Sequence, residues 1–350
     1  MRALTIAPKT PHSARIDEVP EPPASDGSVL VQSLALGVCG TDRDIVSGAY
    51  GEAPLGQQRL ILGHESLGTV LEAPPDCELK RGDLVVGIVR RPDPVPCSAC
   101  AAGEWDMCRN GEYTERGIKA RNGFGAERFR IEPDFAIKLD PDLGLHGVLL
   151  EPTSILAKAW EHTDYIGRRA KTWSPKTALV TGVGPIGLLA ALIGAQRGLE
   201  IHLLDRHHHA EKQKLVQEIG GTYHVGSIDM IDRLKPDILM ECTGAPPLIA
   251  AILGRTAPSG IICLVGVTVP GHEFKLDIGK INQTLVLDNE LVFGSVNANR
   301  RHYEAAAEAL ERADPSWLAR LITRRVPLAK WAEALEHRPG DIKVVIDFSL

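Results

Sequence analysis

The stretch Leu179–Gly187, reading LVTGVGPIG, limits what this chain can fold into more than any other. An apolar β-type run, Thr177–Val180, passes directly into Gly182-Val183-Gly184-Pro185-Ile186-Gly187, and a helix-forming run, LLAALIGAQRG, follows. A second short apolar strand, Ile201–Leu204, closes on Asp205. In such a unit one glycine makes the tight turn, one lets the backbone approach a pyrophosphate, and one allows close helix–strand packing. The phosphate charge sits at the helix N-terminus, where free N–H groups and the macrodipole favour an anion. Asp205, 23 residues after Gly182, stands where an acid accepts hydrogen bonds from a ribose hydroxyl. A glycine triplet alone is often only a turn. Strand, glycines, helix, strand and acid in this order predict a dinucleotide-binding unit over an ordinary α/β crossover.

Around this unit, between about 165 and 298, apolar strands alternate with helical segments, the signature of a parallel sheet. The further strands expected are Ile238–Glu241, Ile261–Val265 and Leu291–Phe293. Residues 1–150 lack that alternation. Short β-type runs (Ser28–Ala35, Leu67–Glu72, Leu84–Val89, Ala126–Ile131) separated by Gly- and Pro-rich turns predict a mostly antiparallel barrel. Ser154–His162, Tyr303–Arg312 and Lys330–His337 read as helical, and Lys343–Phe348 as a strand returning to the first domain. The expected division is residues 1–160, completed by 300–350, and residues 161–299. A chain of 350 residues has room for both.

A formal charge of −6 offers no electrostatic footprint for nucleic acid or an anionic membrane. No apolar run approaches the roughly 20 residues that span a bilayer. The opening MRALTIAPKTPHS lacks the apolar core of a secretory signal, so the cytoplasm is the expected compartment. Three of the seven cysteines crowd between 97 and 108, which in this setting reads as metal binding and not as a disulfide framework.

Cys39, His64, Glu65 and Glu151 are the candidate metal ligands. A thiolate, an imidazole and carboxylates make the N/S/O set that zinc prefers, and a catalytic zinc keeps one position open. Taken singly each has an ordinary reading, as a small buried hydrophobe, a core histidine or a surface acid. Read together, the words change the argument. GVCGTD, LGHESLGTV, a cysteine cluster, LLEPTS and VTGVGPIGLLAA occur in an order that resembles the zinc-dependent medium-chain dehydrogenase/reductase superfamily, over essentially the whole chain.

The resemblance implies an α/β protein with a GroES-like, mostly antiparallel β-barrel catalytic domain and a Rossmann doubly wound cofactor domain. It makes Cys39, His64 and Glu151 zinc ligands, with Glu65 an acid that can approach or exchange onto the metal. Thr41 becomes the hydroxyl that relays the substrate proton. It places the active site in the cleft between domains. GIVRRP, GEWDMCRNGEYTERGIK, LLEPTS, KAWE and FGSVNANRRHYEAA resemble the glucose dehydrogenase branch, which oxidises aldoses at C1. Glu115 is then a sugar-binding acid, against an ordinary salt bridge with Arg116 or Lys119. Glu151, Thr41 and Asn297 join it at the substrate. The dinucleotide site extends from Gly182, Val183, Gly184, Pro185, Ile186, Gly187, Asp205, Arg206 and His207 to Thr243, Gly266, Val267, Ser295, Val296 and Asn297. Asp205 favours NAD, and Arg206 with His207 leaves NADP tolerated. The polar segments expected to line the substrate site suit a ligand with many hydroxyls, because each buried polar group needs a partner.

Members with a structural zinc carry four cysteines spaced C-x2-C-x2-C-x7-C. Here Cys97, Cys100 and Cys108 supply the last three, Pro94 stands at the first, and Asp93 is the nearest substitute ligand. The alternatives are a Cys3Asp zinc site or a lobe with leftover thiols. The expected activity is oxidation of an aldose, D-glucose foremost, to an aldonolactone with NAD(P)+. The competing readings are a polyol, threonine or secondary-alcohol dehydrogenase and a non-catalytic zinc and nucleotide sensor. A homo-oligomer, dimer or tetramer, is expected, with the apolar run Leu285–Phe293 as a strand pairing at a sheet edge between subunits.

Overall fold

The computed structural model of the chain describes residues 1–268, 271 and 273–350. These fall into two compact units, Met1–Ser154 with Asn297–Leu350, and Ile155–Val296.

The first unit is built on a seven-stranded sheet. Its order is Ala136–Lys138, Leu84–Gly87, Glu65–Glu72, Val29–Val38, Lys343–Asp347 and Ile322–Pro327, with Arg128–Ile131 also pairing on Val29–Val38. Every pairing is antiparallel except the last, between Ile322–Pro327 and Lys343–Asp347. Along Val29–Val38 the residues alternate buried and half-buried until Ala35, then all bury. A strand with one face on the core alternates in this way; burial of both faces marks where it runs into the site. Val31, Val70, Phe124, Phe129, Val344 and Ile346 form part of the apolar cluster this sheet wraps. The late strand Lys343–Asp347 therefore lies against the early one, Val344 facing Val38.

The second unit carries a six-stranded, wholly parallel sheet in the order Thr222–Val225, Glu200–Asp205, Thr177–Thr181, Ile238–Glu241, Ile261–Leu264, Leu291–Gly294. The order reverses direction between Thr177–Thr181 and Ile238–Glu241, and ligands of such sheets bind outside the strand ends at that switch. The strand Thr222–Val225 has no counterpart in the sequence reading, because its TYHV composition is neither apolar nor alternating. The run Leu285–Phe293 is not one strand. Leu285 belongs to the helix Ile278–Leu287, and Asn289 with φ of 52° turns the chain before the edge strand Leu291–Gly294 begins. Among the described residues no helix is long and apolar enough to cross a membrane.

Candidate functional site

The strand Val29–Val38 ends at Cys39, which caps the short helix Gly40–Val46 from extended backbone. Asp42, three residues on, accepts a hydrogen bond from the Cys39 N–H through Oδ2 at 2.9 Å. Its Oδ1 lies 3.4 Å from His64 Nδ1. One buried carboxylate thus holds both the cysteine backbone and the histidine ring. His64 Nε2 is left facing Cys39 Sγ at 3.1 Å. A carboxylate on the far nitrogen is how metal-binding imidazoles are oriented. Thr41 sits half-buried in the first turn of the same helix.

Glu65 opens the neighbouring strand and stands opposite Gly37. A Cβ at Gly37 would come within 1.9 Å of Glu65 Oε2, so only glycine leaves room for the carboxylate. Lys343, 1% exposed on its side chain, donates to both Glu65 oxygens at 2.8 and 2.6 Å. Donor atoms of Cys39, His64 and Glu65 all lie within 4.8 Å of one another. Glu151, buried near the start of the helix Leu150–Gly167, is outside that tight group but faces its charges. Burial pushes its carboxyl up to about 7, opposed by His64 and reinforced by Glu65. Burial would lower the His64 pKa, but the negative Cys39 and Asp42 outweigh it and hold the ring well above its usual value. Cys39, Asp42, Glu65 and Glu151 are thus potential anions, and Lys343, paired with Glu65, is the permanent cation set among them in the described residues. That surplus of negative charge on N, S and O donors fits a divalent ion such as zinc.

In the second unit a cavity of about 560 Å³ is lined by Gly182, Asp205, Arg206 and Thr243, and also by Gly226 and Ser227, which sequence reasoning missed. The three glycines divide the labour as expected. Gly182 turns the chain with φ of 90°, and a Cβ on Gly187 would lie 1.8 Å from Gly182 O. A Cβ on Gly184 would meet nothing within 4 Å. Gly184 caps the helix Pro185–Gln196 with no side chain over its N–H groups, leaving the approach a pyrophosphate needs. Val183, Pro185 and Ile186 complete that turn. Asp205 Oδ1 accepts from Arg206 N at 2.8 Å, while the buried Oδ2 lacks a hydrogen-bond partner and lies 3.6 Å from Lys212 Nζ. A buried oxygen left in that state suits a ribose hydroxyl. Arg206 and His207 are exposed and bonded to each other, Nε to Nε2 at 3.0 Å.

Thr243 is set by Glu241, fully buried at the end of its strand. Glu241 Oε1 accepts from Thr243 N at 2.7 Å and from the Thr243 hydroxyl, and Oε2 from Gly244 N at 3.0 Å. Gly266 packs on the same turn, where a Cβ would lie 2.1 Å from Gly244 N. Val267 and Val296 are exposed, Ser295 is buried, and none of the three lines the cavity.

Glu115 is buried in the strand Thr114–Arg116, which pairs with Arg90–Arg91. Its carboxylate pairs with neither the Arg116 nor the Lys119 side chain. Oε1 accepts from Arg90 Nε and Nη2 at 3.1 and 3.0 Å and from Asn297 Nδ2 at 2.9 Å. Arg90 also lies over the Tyr113 ring at 3.7 Å. Asn297 adopts φ of 60°, and its Oδ1 accepts from Ala298 N, so the amide is fixed from both ends.

The sulfurs of Cys97, Cys100 and Cys108 also lie within 4.8 Å of one another, but Asp93 does not join them. Its oxygens accept from Val95 N at 2.9 Å and Asn110 Nδ2 at 2.7 Å. The structure thus gathers three thiols and leaves Asp93, expected as the fourth ligand, outside the group. Sequence reasoning also missed Asp42, Glu241 and Lys343, and it placed Arg90 in a segment lining the substrate site without its pairing to Glu115. Only Asp42 left a local trace, as an acid three residues after the capping cysteine.

Residues 144–348 match the family described as "Glucose dehydrogenase C-terminus", and residues 25–141 match "Alcohol dehydrogenase GroES-like domain". The chain is 39% identical to a glucose 1-dehydrogenase of Methanocella arvoryzae and 41% identical to one of Thermoproteus tenax, covering 99% of both chains in each comparison. Among solved structures it superposes on a Haloferax mediterranei glucose dehydrogenase in complex with NADP, Zn and gluconolactone. There the TM-score is 0.91, with 30% identity and all of both chains covered.

Proposed function

Because this chain belongs to the glucose dehydrogenase branch of the medium-chain dehydrogenase/reductase superfamily, we propose that it oxidises an aldose, D-glucose foremost, at C1. The sugar C1 gives a hydride to the nicotinamide of NAD+ or NADP+ and its hydroxyl gives up a proton. The ring oxygen stays bonded, so the product is the aldonolactone. Cys39, His64, Glu65 and Glu151 are the residues that would hold zinc. A bound zinc ion supplies a Lewis acid that makes the hydroxyl proton easier to lose. Thr41 takes that proton outward. Glu115, aimed by Arg90 and Asn297, accepts hydrogen bonds from the other sugar hydroxyls. Asp205 takes the ribose diol, favouring NAD, and the neighbouring Arg206 tolerates a 2′-phosphate.

The observation that carries this reading is the 3.1 Å approach of Cys39 Sγ to a His64 ring already oriented by Asp42. Initial rates with a panel of aldoses and simple alcohols, with each nicotinamide, before and after chelation, test it. Turnover that survives chelation, or that prefers simple alcohols, rejects it. The same reading includes a homo-oligomer, supported by the unpaired edge of Leu291–Gly294, and the mass in solution checks that part.

A further inference from the structure

A second cavity, of about 680 Å³, lies wholly within the first unit, and none of the residues assigned above to metal, sugar or dinucleotide lines it. Its lining is partly apolar and stiff, from Pro20, Pro22, Pro54, Ile61 and Phe129, and partly charged. Asp17 pairs with Arg59 at 3.0 Å, and Glu21 accepts from Arg128 Nε at 2.8 Å, so these charges cancel in place. Arg116, Arg121 and Arg130 remain on the wall, with Asp26 as the remaining acid.

Behind that wall, guanidinium groups outnumber carboxylates. Arg91, Arg121 and Arg116 converge on Glu132, with Nη2 atoms 2.8, 2.5 and 3.9 Å from its oxygens. Arg130 has its own weak partner, Glu72 at 3.3 Å, whose side chain is 63% exposed. Even with Asp26 counted beside Glu132, three guanidiniums meet two carboxylates. Arg116 bears most of the imbalance. It is 2% exposed, its Nη atoms donate only to the carbonyls of Asn122, Asp26 and Arg130, and its buried Nε has no partner. Burial first, then Arg91 and Arg121, push its pKa down to about 9. A guanidinium keeps its proton at neutral pH, so an incoming anion would relieve the excess charge.

We propose that this cavity is a binding site for a small organic phosphate. Its phosphate is received by Arg121 and Arg130 in the field of Arg116, and its carbon body lies against the proline wall. A phosphate offers three acceptor oxygens, enough for two separate guanidinium forks, where a carboxylate would serve one. The cavity volume is in the range of small-molecule sites. Arg121 and Arg130 are the movable receivers, because each is now paired with a partly exposed acid that can be exchanged for the ligand.

Calorimetric titration with glycerol 3-phosphate, with NAD+ present in excess to occupy the dinucleotide site, tests the proposal. The intact protein is expected to bind one equivalent, more weakly as salt rises. Arg121→Gln and Arg130→Gln are each expected to weaken binding about tenfold, the loss of one charge-assisted contact. Glu132→Gln, which removes the competing acid, is expected to tighten it several-fold. That gain cannot come from a damaged fold, so it separates the proposal from a merely structural arginine cluster. Absence of heat with the intact protein up to about a hundredfold molar excess overturns the proposal. So does equal affinity in Arg130→Gln and Glu132→Gln.

Discussion

The two units build their sites by opposite means. The parallel-sheet unit spells most of its proposed site out in one contiguous stretch, from Gly182 to Asp205, where backbone N–H groups and missing side chains would do the binding. The sheet unit built from residues 1–154 and 297–350 gathers Cys39, His64, Glu65 and Lys343, with Glu151 facing them, which only folding brings together. A backbone site tolerates changes in side chains and is sensitive to added bulk. A side-chain site depends on each donor and on the charge that balances it.

The largest test of that difference is removal of one donor. His64→Ala or Cys39→Ala is expected to lower kcat by at least ~10³-fold, the several kcal/mol attributable to a Lewis acid. NAD+ affinity, measured by fluorescence titration, should stay within about twofold. A parallel loss of NAD+ affinity would break the contrast. Next is Lys343→Met, which leaves the buried Glu65 carboxylate without its cation. It is expected to cost about 3–5 kcal/mol in denaturant unfolding, and Glu65→Gln in the same chain should recover part of the loss. In the other unit, Gly187→Ala drives a methyl toward Gly182 O, which a Cβ would approach to 1.8 Å. Overpacking of about 1–3 kcal/mol should weaken NAD+ binding by roughly 10- to 100-fold, while zinc content measured by elemental analysis is unchanged.

Asp205→Ala is expected to shift the NADP-to-NAD preference in kcat/KM about tenfold toward NADP, because the lost acceptor served the ribose diol and repelled a phosphate. The smallest effect concerns acid. Burial raises the Glu132 carboxyl, but hydrogen bonds and charge from Arg91, then Arg121, outweigh it and hold the pKa at about 2, against an ordinary 4.5. Its contribution to stability is complete above 4.5 and is lost as pH falls toward 2. Unfolding free energy followed through that window should fall less steeply in Glu132→Gln.

The same contrast explains what could be seen in the sequence alone. The glycine turn, its strands and Asp205 were legible because a dinucleotide site is a local backbone event. Cys39, His64 and Glu151 were legible only as words in a familiar order. Lys343 was not, since nothing near it marks a lysine that ends 278 residues from its partner. The partner of Arg90 escaped because its pairing with Glu115 is fixed by strand register, and Glu241 because a buried acid in an apolar strand looks like a strand end. Asp93 is near the thiols in sequence, but its oxygens accept from Val95 N and Asn110 Nδ2 and stand outside the thiol group. Thr222–Val225 shows the limit of hydropathy, since its place beside Glu200–Asp205 comes from the parallel sheet and not from its own residues.

The dependence of Glu65 on Lys343 has a consequence for synthesis. A ribosome makes the cysteine, the histidine and both acids long before it makes the lysine that lets one of those acids be buried. Until that late strand docks beside Val38, the nascent protein holds a half-built ligand cage with nothing to neutralise its interior carboxylate. Burial of the Glu65 carboxylate beside its cation thereby waits for residue 343, and a message cut short before that codon is expected to yield a polypeptide that has Cys39, His64 and Glu65 but lacks the charge that balances them.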